Sequence, residues 1–212
     1  MKKPLSLLVL LSTTAAVYYY FAPRYTYPHL PQPSIAQSKK PEKKELQKLQ
    51  DKALSLKKFA SANGYCTSYC FLIDMSLHSG RNRFFIYDLN NNKIAKEGLV
   101  AHGSCNSNYL EEASFSNVSG DGCSSTGRYK VGYAYEGRFG TAYKLYGLDS
   151  SNSNAFKRNV VLHAYGCVPD SETYPQSLCN SLGCPMVSYS FLETASKYIK
   201  QSRKPVLLWV FE

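Results

Sequence analysis

A cysteine in the last part of the chain has the surroundings of a nucleophile. Cys184 follows a glycine and precedes a proline, and His163 ends the apolar run Val160–Leu162, 21 residues before it. A thiol is a weak nucleophile until a base removes its proton, so a reactive cysteine needs an imidazole or an equivalent group within hydrogen-bond reach. This separation is too long for one helical turn but suits two neighbouring strand ends. We therefore predict that Cys184 is a nucleophile and that His163 is its base.

The residues directly before the cysteine favour the same interpretation. Gly183 carries no side chain, so a substrate carbonyl can approach the backbone N–H groups of Gly183 and Cys184, which we expect to form an oxyanion hole. Ser181 is expected either to orient the loop through its hydroxyl or to be an ordinary turn serine. The competing interpretation is that Cys184 is half of a disulfide and His163 a hydrogen-bonded core histidine.

Further motifs occur upstream in a fixed order. They are Ala101-His102-Gly103, Phe115-Ser116-Asn117, Ser124-Ser125-Thr126-Gly127, Tyr135-Glu136-Gly137-Arg138-Phe139-Gly140 and Arg158-Asn159-Val160-Val161-Leu162-His163, followed by Ser181-Leu182-Gly183-Cys184-Pro185. Together, from about residue 71 to residue 211, they resemble the YkuD-type L,D-transpeptidase catalytic domain, in the branch with an S-x-G-C-P motif. The resemblance implies a mainly β fold, a β-sandwich or barrel with a few peripheral helices.

The resemblance also implies a reaction, which is acyl transfer on peptidoglycan stem peptides. Cys184 would attack a stem-peptide carbonyl, and His163 would take its proton and later deprotonate the acceptor amine. The second ring nitrogen of such a base is normally fixed by a carbonyl, which Ala164 or Tyr165 would supply here. His102 is expected to line the substrate pocket or to be structural rather than to be the base. No cofactor is implied, because the chain has no phosphate loop, dinucleotide fingerprint or metal motif.

The chain departs from the family pattern at two positions. Leu182 stands where the commoner form of the family has a second histidine, so any role of that histidine must fall to backbone donors or another residue. Asn180 stands where this branch usually has an arginine able to hold a substrate carboxylate. Of the nearby arginines, we expect Arg138 on its glycine-flanked loop to bind the substrate, and Arg158 to brace the fold.

Two other functions fit the same residues. One is an L,D-carboxypeptidase or amidase, in which water replaces the acceptor amine while nucleophile and base stay the same. The other is a non-catalytic, disulfide-stabilised wall-binding protein in which Cys184 is bridged.

The elements that must position these residues read mainly as strands. Runs of aromatic and branched residues, or alternation of apolar and polar residues, predict strands near 70–75, 83–88, 94–102, 128–135, 142–146, 160–163 and 205–211. Helices are expected at 42–60, where apolar residues recur at three- and four-residue steps before Gly64, and at 190–200. We assign residues 41–212 to one catalytic domain that begins with a basic helix.

The N-terminal residues predict export. Lys2 and Lys3 precede an apolar stretch over residues 5–21, and four prolines follow at positions 23, 28, 31 and 33. Residues 1–22 are therefore expected to be an export signal or a membrane anchor, and residues 23–40 a proline-rich linker. The protein would then lie in the periplasm or cell envelope, either released or kept at the membrane.

The positive charge of the chain is concentrated in one region. Its formal net charge is +10, and residues 39–58 alone hold eight lysines against three acidic residues. We interpret this region as a solvated helix face, with attraction to anionic lipid headgroups or wall polymers as the alternative. Export and the lack of a recognition motif argue against a nucleic-acid partner.

Seven cysteines in an exported chain predict an oxidising compartment, with three disulfides and one free thiol. Six cysteines allow 15 pairings. Pairing each with a near neighbour gives Cys66 with Cys70, Cys105 with Cys123, and Cys167 with Cys179. The alternative of zinc at Cys66 and Cys70 is improbable, because no second ligand pair follows at a suitable spacing.

Overall fold

The computed structural model describes residues 43–212, and eight strands within this range form one mixed sheet. They are β1 (Tyr69–Asp74), β2 (Phe84–Asp88), β3 (Lys93–Gly98), β4 (Gly127–Gly137), β5 (Gly140–Gly147), β6 (Val161–Ala164), β7 (Met186–Val187) and β8 (Leu207–Phe211). The order across the sheet is β3-β2-β1-β8-β4-β5-β6-β7. The β1–β8 and β6–β7 pairs are parallel and the others antiparallel. The predicted mainly β architecture is confirmed, although β7, only two residues long, was not predicted.

Two helices cover the sheet, and both were predicted. Helix α1 (Lys43–Asn63) buries an apolar stripe against one face of the sheet, and it ends before Gly64, whose φ of +74° suits a helix C-terminus. Helix α2 (Tyr189–Gln201) packs into the core cluster on the other face. Its first turn is capped by Ser188, whose hydroxyl accepts from the Phe191 N–H at 3.2 Å. Helix α2 packs against β6, the strand that carries His163, whereas α1 packs against β1 and β8.

The segment that follows β3 crosses to the opposite end of the sheet. Ala101 forms an antiparallel bridge with Met186 of β7, and Gly103 forms a parallel bridge with Ser181. The Ser181 N–H donates to the His102 carbonyl at 2.8 Å, and the Ser181 carbonyl accepts from the Ser104 N–H at 2.9 Å. These contacts hold the Ser-Leu-Gly-Cys motif against the edge of the sheet.

Two of the three expected disulfides are present, Cys105–Cys123 and Cys167–Cys179. The predicted Cys66–Cys70 bridge is wrong, since both residues are free thiols. Cys70 lies in the core cluster beneath α1, whereas Cys66 belongs to the cluster on the other side of the sheet. Their side chains therefore pack into different parts of the core, and the described residues hold three free thiols instead of one.

The predicted export signal or anchor, residues 1–22, and the predicted linker, residues 23–40, lie outside the described range, together with residue 42, where the expected helix begins. Within residues 43–212, neither helix has both the length and the apolar character needed to cross a membrane.

Candidate active site

His163 lies on β6 with its imidazole oriented by the backbone. It is buried, with 4% of its surface exposed, and its Nδ1 lies 3.0 Å from the Ala164 carbonyl oxygen. Because a carbonyl can only accept, Nδ1 carries the proton, and Nε2 is the unprotonated nitrogen. Burial lowers the pKa of His163, and the bond to Ala164 partly opposes this shift. The ring is thus held neutral, in the tautomer that a base requires.

Cys184 lies on the segment that leads into β7, next to β6. The His163 N–H donates to the Pro185 carbonyl at 3.4 Å, and His163 pairs with Met186 in the sheet. The structure therefore brings the two predicted catalytic residues onto adjoining segments, and Cys184 is not in a disulfide. Burial raises the pKa of the Cys184 thiol, while the Val161 N–H opposes this. A thiol with a raised pKa depends on a neighbouring base to react.

Two cations also act on the Cys184 sulfur. The positive charges of Arg158 and Lys144 both favour the thiolate and so lower the pKa that burial raises. Arg158 is occupied, because Nη1 donates to the Ser116 carbonyl at 2.7 Å and Nη2 donates to the Cys123 carbonyl. It braces the loops around the site, as predicted.

The loop before Cys184 has a different hydrogen-bond pattern from the one expected. The Gly183 N–H donates to the Ser181 hydroxyl at 3.0 Å, which makes Ser181 the residue that orients the loop. The predicted oxyanion role of the Gly183 N–H is therefore not available in this conformation. Within residues 43–212, the Cys184 N–H has no hydrogen-bond acceptor.

Gly183 is required by the geometry of this loop. Its φ is +108°, and a Cβ at this position would lie 2.6 Å from the Cys123 carbonyl oxygen. Leu182, the residue in place of the family's second histidine, is 80% exposed and contributes an apolar side chain to the surface beside the thiol.

His102 lies behind the site rather than in it. It is 1% exposed, Arg83 Nη2 donates to its Nδ1 at 2.8 Å, and its Nε2–H donates to the Leu110 carbonyl at 3.1 Å. Burial, with the charge of Arg83, lowers the pKa of His102 to about 4, so the ring is neutral. Both nitrogens are engaged, so the predicted contact of His102 with substrate does not fit, and its alternative structural role does.

The side-chain amide of Asn180 binds the backbone of a neighbouring loop at Leu110. Its Oδ1 accepts from the Leu110 N–H at 2.6 Å, and its Nδ2 donates to the Leu110 carbonyl at 2.9 Å. The same Nδ2 lies 3.3 Å from His102 Nε2. Asn180, which stands where the branch usually has an arginine, therefore links the loop around Leu110 to the segment that carries Cys184.

Arg138 and Phe139 form the two-residue turn of the β4–β5 hairpin, because Gly137 pairs with Gly140. Arg138 is exposed, with its guanidinium carbon 5.6 Å from the centre of the Phe139 ring. Phe139 in turn stacks on the imidazole of His163. The hairpin thus brings Arg138 to the rim of the site. The contact of Phe139 with His163 was missed by sequence reasoning, since nothing in the local sequence indicates it.

Comparison with known proteins identifies the family. The family described as the L,D-transpeptidase catalytic domain matches residues 40–209. The chain belongs to this family. The predicted family and its mainly β fold are therefore confirmed, and the match spans α1, both disulfides and the whole Cys184 motif. The comparison with curated proteins found no match.

Solved structures similar to this family member include Pgp2, the helical cell shape determining protein of Campylobacter jejuni, with 14% identity and a TM-score of 0.42 over 68% of this chain and 48% of that one. An L,D-transpeptidase of Mycobacterium smegmatis has 10% identity and a TM-score of 0.40, over 68% of this chain and 59% of that one. The Ldtfm–avibactam carbamoyl enzyme has 12% identity and a TM-score of 0.43, over 68% and 49%. The chain spans about half the length of the structures it matches.

Proposed function

We propose that this protein is a cysteine-dependent acyltransferase acting on peptidoglycan stem peptides, a murein L,D-transpeptidase. The observation that carries this proposal is the state of His163. Its Nδ1–H is fixed on the Ala164 carbonyl, so its basic nitrogen is Nε2, and its strand pairs with the segment carrying the unbridged Cys184. Family membership supports this class of reaction, and the geometry supports Cys184 as the nucleophile and His163 as the base.

In the first step the Cys184 sulfur attacks the carbonyl carbon of the L-centre that precedes the terminal D-residue. The thiol proton passes to His163 Nε2, and the imidazolium then gives it to the amine of the D-residue as the peptide bond breaks. The Ala164 carbonyl stabilises the imidazolium, because it accepts from the Nδ1–H on the opposite side of the ring. The products are a thioester on Cys184 and the free D-amino acid.

In the second step an acceptor amine attacks the thioester carbonyl. His163, neutral again, removes a proton from the attacking amine and returns it to the departing sulfur, which restores the thiol. A new amide bond replaces the thioester. If water takes the place of the amine, the same residues complete a hydrolysis, which is the L,D-carboxypeptidase alternative.

The tetrahedral intermediates of both steps carry a negative oxygen that needs a donor. The Cys184 N–H is the candidate in this chain, because the Gly183 N–H is already engaged by Ser181. The turn that Ser181 imposes on the loop sets the direction of the Cys184 N–H. Ser181 would therefore act on the reaction through the loop rather than by touching the substrate.

The environment of the protein is proposed to be oxidising, in the periplasm or cell envelope where peptidoglycan lies. The two disulfides support this, since such bonds persist outside the reducing cytoplasm. Both lie beside the site, with Cys179 next to Asn180 and with the Cys123 carbonyl bonded to Arg158. They would therefore stabilise the loops that surround the nucleophile.

The experiment that tests this function is incubation of the protein with purified tetrapeptide muropeptides, followed by mass analysis of products and of acylated enzyme. We expect the wild type to release the terminal D-residue and to yield a cross-linked or exchanged product, and Cys184→Ala to form no acyl-enzyme. His163→Ala should lose about 10²- to 10⁴-fold in the rate of thioester formation. Cys66→Ala removes a thiol outside the site and serves as the matched control.

Full activity of Cys184→Ala would refute the assignment of the nucleophile. A shortened stem peptide with neither cross-linked nor exchanged product, at any concentration of added amine, would assign the hydrolase instead.

A further inference from the structure

We propose that Lys144, together with Asn159, forms the subsite that holds the carboxylate of the residue expelled when Cys184 is acylated. This inference rests on the proposed function and names the substrate feature that the site would select, a free C-terminal carboxylate directly after the scissile bond.

The register of the sheet places Lys144 on the same face as the proposed base. On β5, Ala142 pairs with His163 and Lys144 pairs with Val161. Residues paired across neighbouring strands project to the same face of a sheet, and so do residues two apart along one strand. Lys144 therefore stands beside Val161, two residues before His163 on the same strand.

Asn159 connects the lysine to the nucleophile. Lys144 Nζ donates to Asn159 Oδ1 at 2.9 Å, and the Asn159 carbonyl accepts from the Cys184 thiol, with 3.8 Å between sulfur and oxygen. Asn159 has a φ of +58°, the left-handed conformation that asparagine tolerates better than most residues. One residue thus contacts both the cation and the reacting sulfur.

The ammonium group of Lys144 has N–H donors that are free to bind an anion. It has three N–H donors, and the only hydrogen bond it makes within residues 43–212 is the one to Asn159. Its other contacts are with the rings of Phe156 and Tyr135, whose centres lie 5.3 and 5.6 Å away. No carboxylate of the described residues pairs with it. Arg158, the second cation beside the thiol, is already bonded to two carbonyls, which leaves Lys144 for an incoming anion.

The chemistry of the leaving residue matches this position. The carboxylate of a terminal amino acid is attached to the same carbon as the amine that departs, so it must lie close to the sulfur when the peptide bond is attacked. An unpaired carboxylate there would be repelled by the forming thiolate. An ammonium group held beside the thiol offsets this repulsion and favours donors with a free C-terminus over amidated ones.

Alkylation of Cys184 tests the subsite without any peptidoglycan substrate. Iodoacetate and iodoacetamide transfer nearly the same group to sulfur, but only iodoacetate carries a carboxylate. The ratio of their rates at Cys184 is independent of how much thiolate is present, so it reports on the anion subsite alone. We expect Lys144→Met to lower this ratio by about threefold or more and Lys144→Arg to retain most of it.

Lys130→Met is the matched control, because it removes the same charge from β4, the strand next to β5. The Lys130 ammonium lies 4.2 Å from the centre of the Tyr146 ring. An unchanged ratio in Lys144→Met, or an equal fall in Lys130→Met, would overturn the proposal.

A second experiment uses donor peptides. The wild type should prefer a peptide with a free C-terminal carboxylate to the same peptide with a C-terminal amide, and Lys144→Met should lose that preference because KM rises for the free acid. If no variant acts on peptides but the alkylation ratio still depends on Lys144, the proposed function fails while the anion subsite stands.

Discussion

The ring of Phe139 lies nearly flat against the imidazole of His163, with 5.2 Å between ring centres and 20° between planes. The ring of Tyr165 meets Phe139 edge-on at 5.3 Å and supports it from the side. Phe139 lies at the tip of a hairpin and is itself partly exposed, so it separates His163 from water. Its position accounts for part of the burial that lowers the pKa of His163.

Replacing Phe139 with Ala should therefore raise the pKa of His163 towards its ordinary value. More of the imidazole would then be protonated at a given pH, so the acid side of the pH–rate profile for acyl transfer should move to higher pH. NMR titration of the ring measures the pKa directly. Phe156→Ala is the matched control, because Phe156 is similarly exposed but stacks on Tyr146 instead; an equal shift in both variants would contradict this role of Phe139.

The three free thiols should differ in their access to reagent. Cys66 and Cys70 are buried, whereas Cys184 is half-buried. Alkylation of the folded, non-reduced protein should therefore label Cys184 alone, and denaturation without reductant should add Cys66 and Cys70. Mass mapping of labelled peptides checks this. Labelling of any of the four bridged cysteines before reduction, or finding Cys184 in a bridge, would contradict the disulfide pattern and the catalytic interpretation.

His102 should make stability depend on pH. Its pKa is about 4 in the folded protein and about 6.5 when unfolded. Between these values the unfolded state binds more protons, so stability falls as pH decreases from about 6.5 to about 4, by about 3 kcal/mol in total. In His102→Gln the side-chain amide can still accept from Arg83 and donate to the Leu110 carbonyl, but it cannot be protonated. The difference between the free energies of unfolding at pH 7.5 and pH 4.5 should therefore be smaller in the variant by about this amount. Urea unfolding at both pH values measures it, and equal pH dependence in the two proteins would refute it.

Gly183→Ala should lower the stability of the protein more than the same substitution at Gly64, another glycine with positive φ. Gly64 has a φ of +74° and open space around its Cα, so Gly64→Ala should cost about 1–2 kcal/mol of stability from conformation alone. At Gly183 the new methyl group also meets the Cys123 carbonyl, so the loop must shift. We expect a larger loss of stability together with slower alkylation of Cys184, by thermal melts and reagent kinetics. Similar behaviour of both variants would show that the loop tolerates the methyl group.

Arg138 is expected to bind a carboxylate of the stem peptide from the hairpin side. It is exposed, and within residues 43–212 its only hydrogen-bonding, ionic or ring partner is Phe139, so its removal should leave the fold intact. Arg138→Gln, and to a smaller extent Arg138→Lys, should raise the muropeptide concentration for half-maximal rate by about tenfold, as loss of a charge-assisted hydrogen bond would. The melting temperature should stay unchanged. Unaltered kinetics, or an unfolded variant, would show that the carboxylate is held elsewhere.

Several features of this protein could be predicted from local sequence. The stripe of apolar residues in α1, its end at Gly64 and the branched strands depend on periodicity and on backbone preferences within a few residues. The roles predicted for Cys184 and His163 also rest on local sequence, because the motif around each is short and contiguous. Two disulfides were predicted correctly by pairing cysteines that are close in sequence. The fold class was predicted from the ordered motifs and the family that they resemble.

Other features were decided by tertiary structure, because they join residues far apart in the chain through the register of the sheet. Cys66 and Cys70 are near in sequence, yet they pack on different faces and do not pair. Arg83 and Leu110, both distant from His102 in sequence, engage its two ring nitrogens in the interior. Lys144 comes close to Cys184 only because β5 pairs with β6 at Val161. Periodicity shows that a residue lies on a strand, but only the pairing of strands determines which side chains meet, and at this site the pairing sets the charge around the thiol.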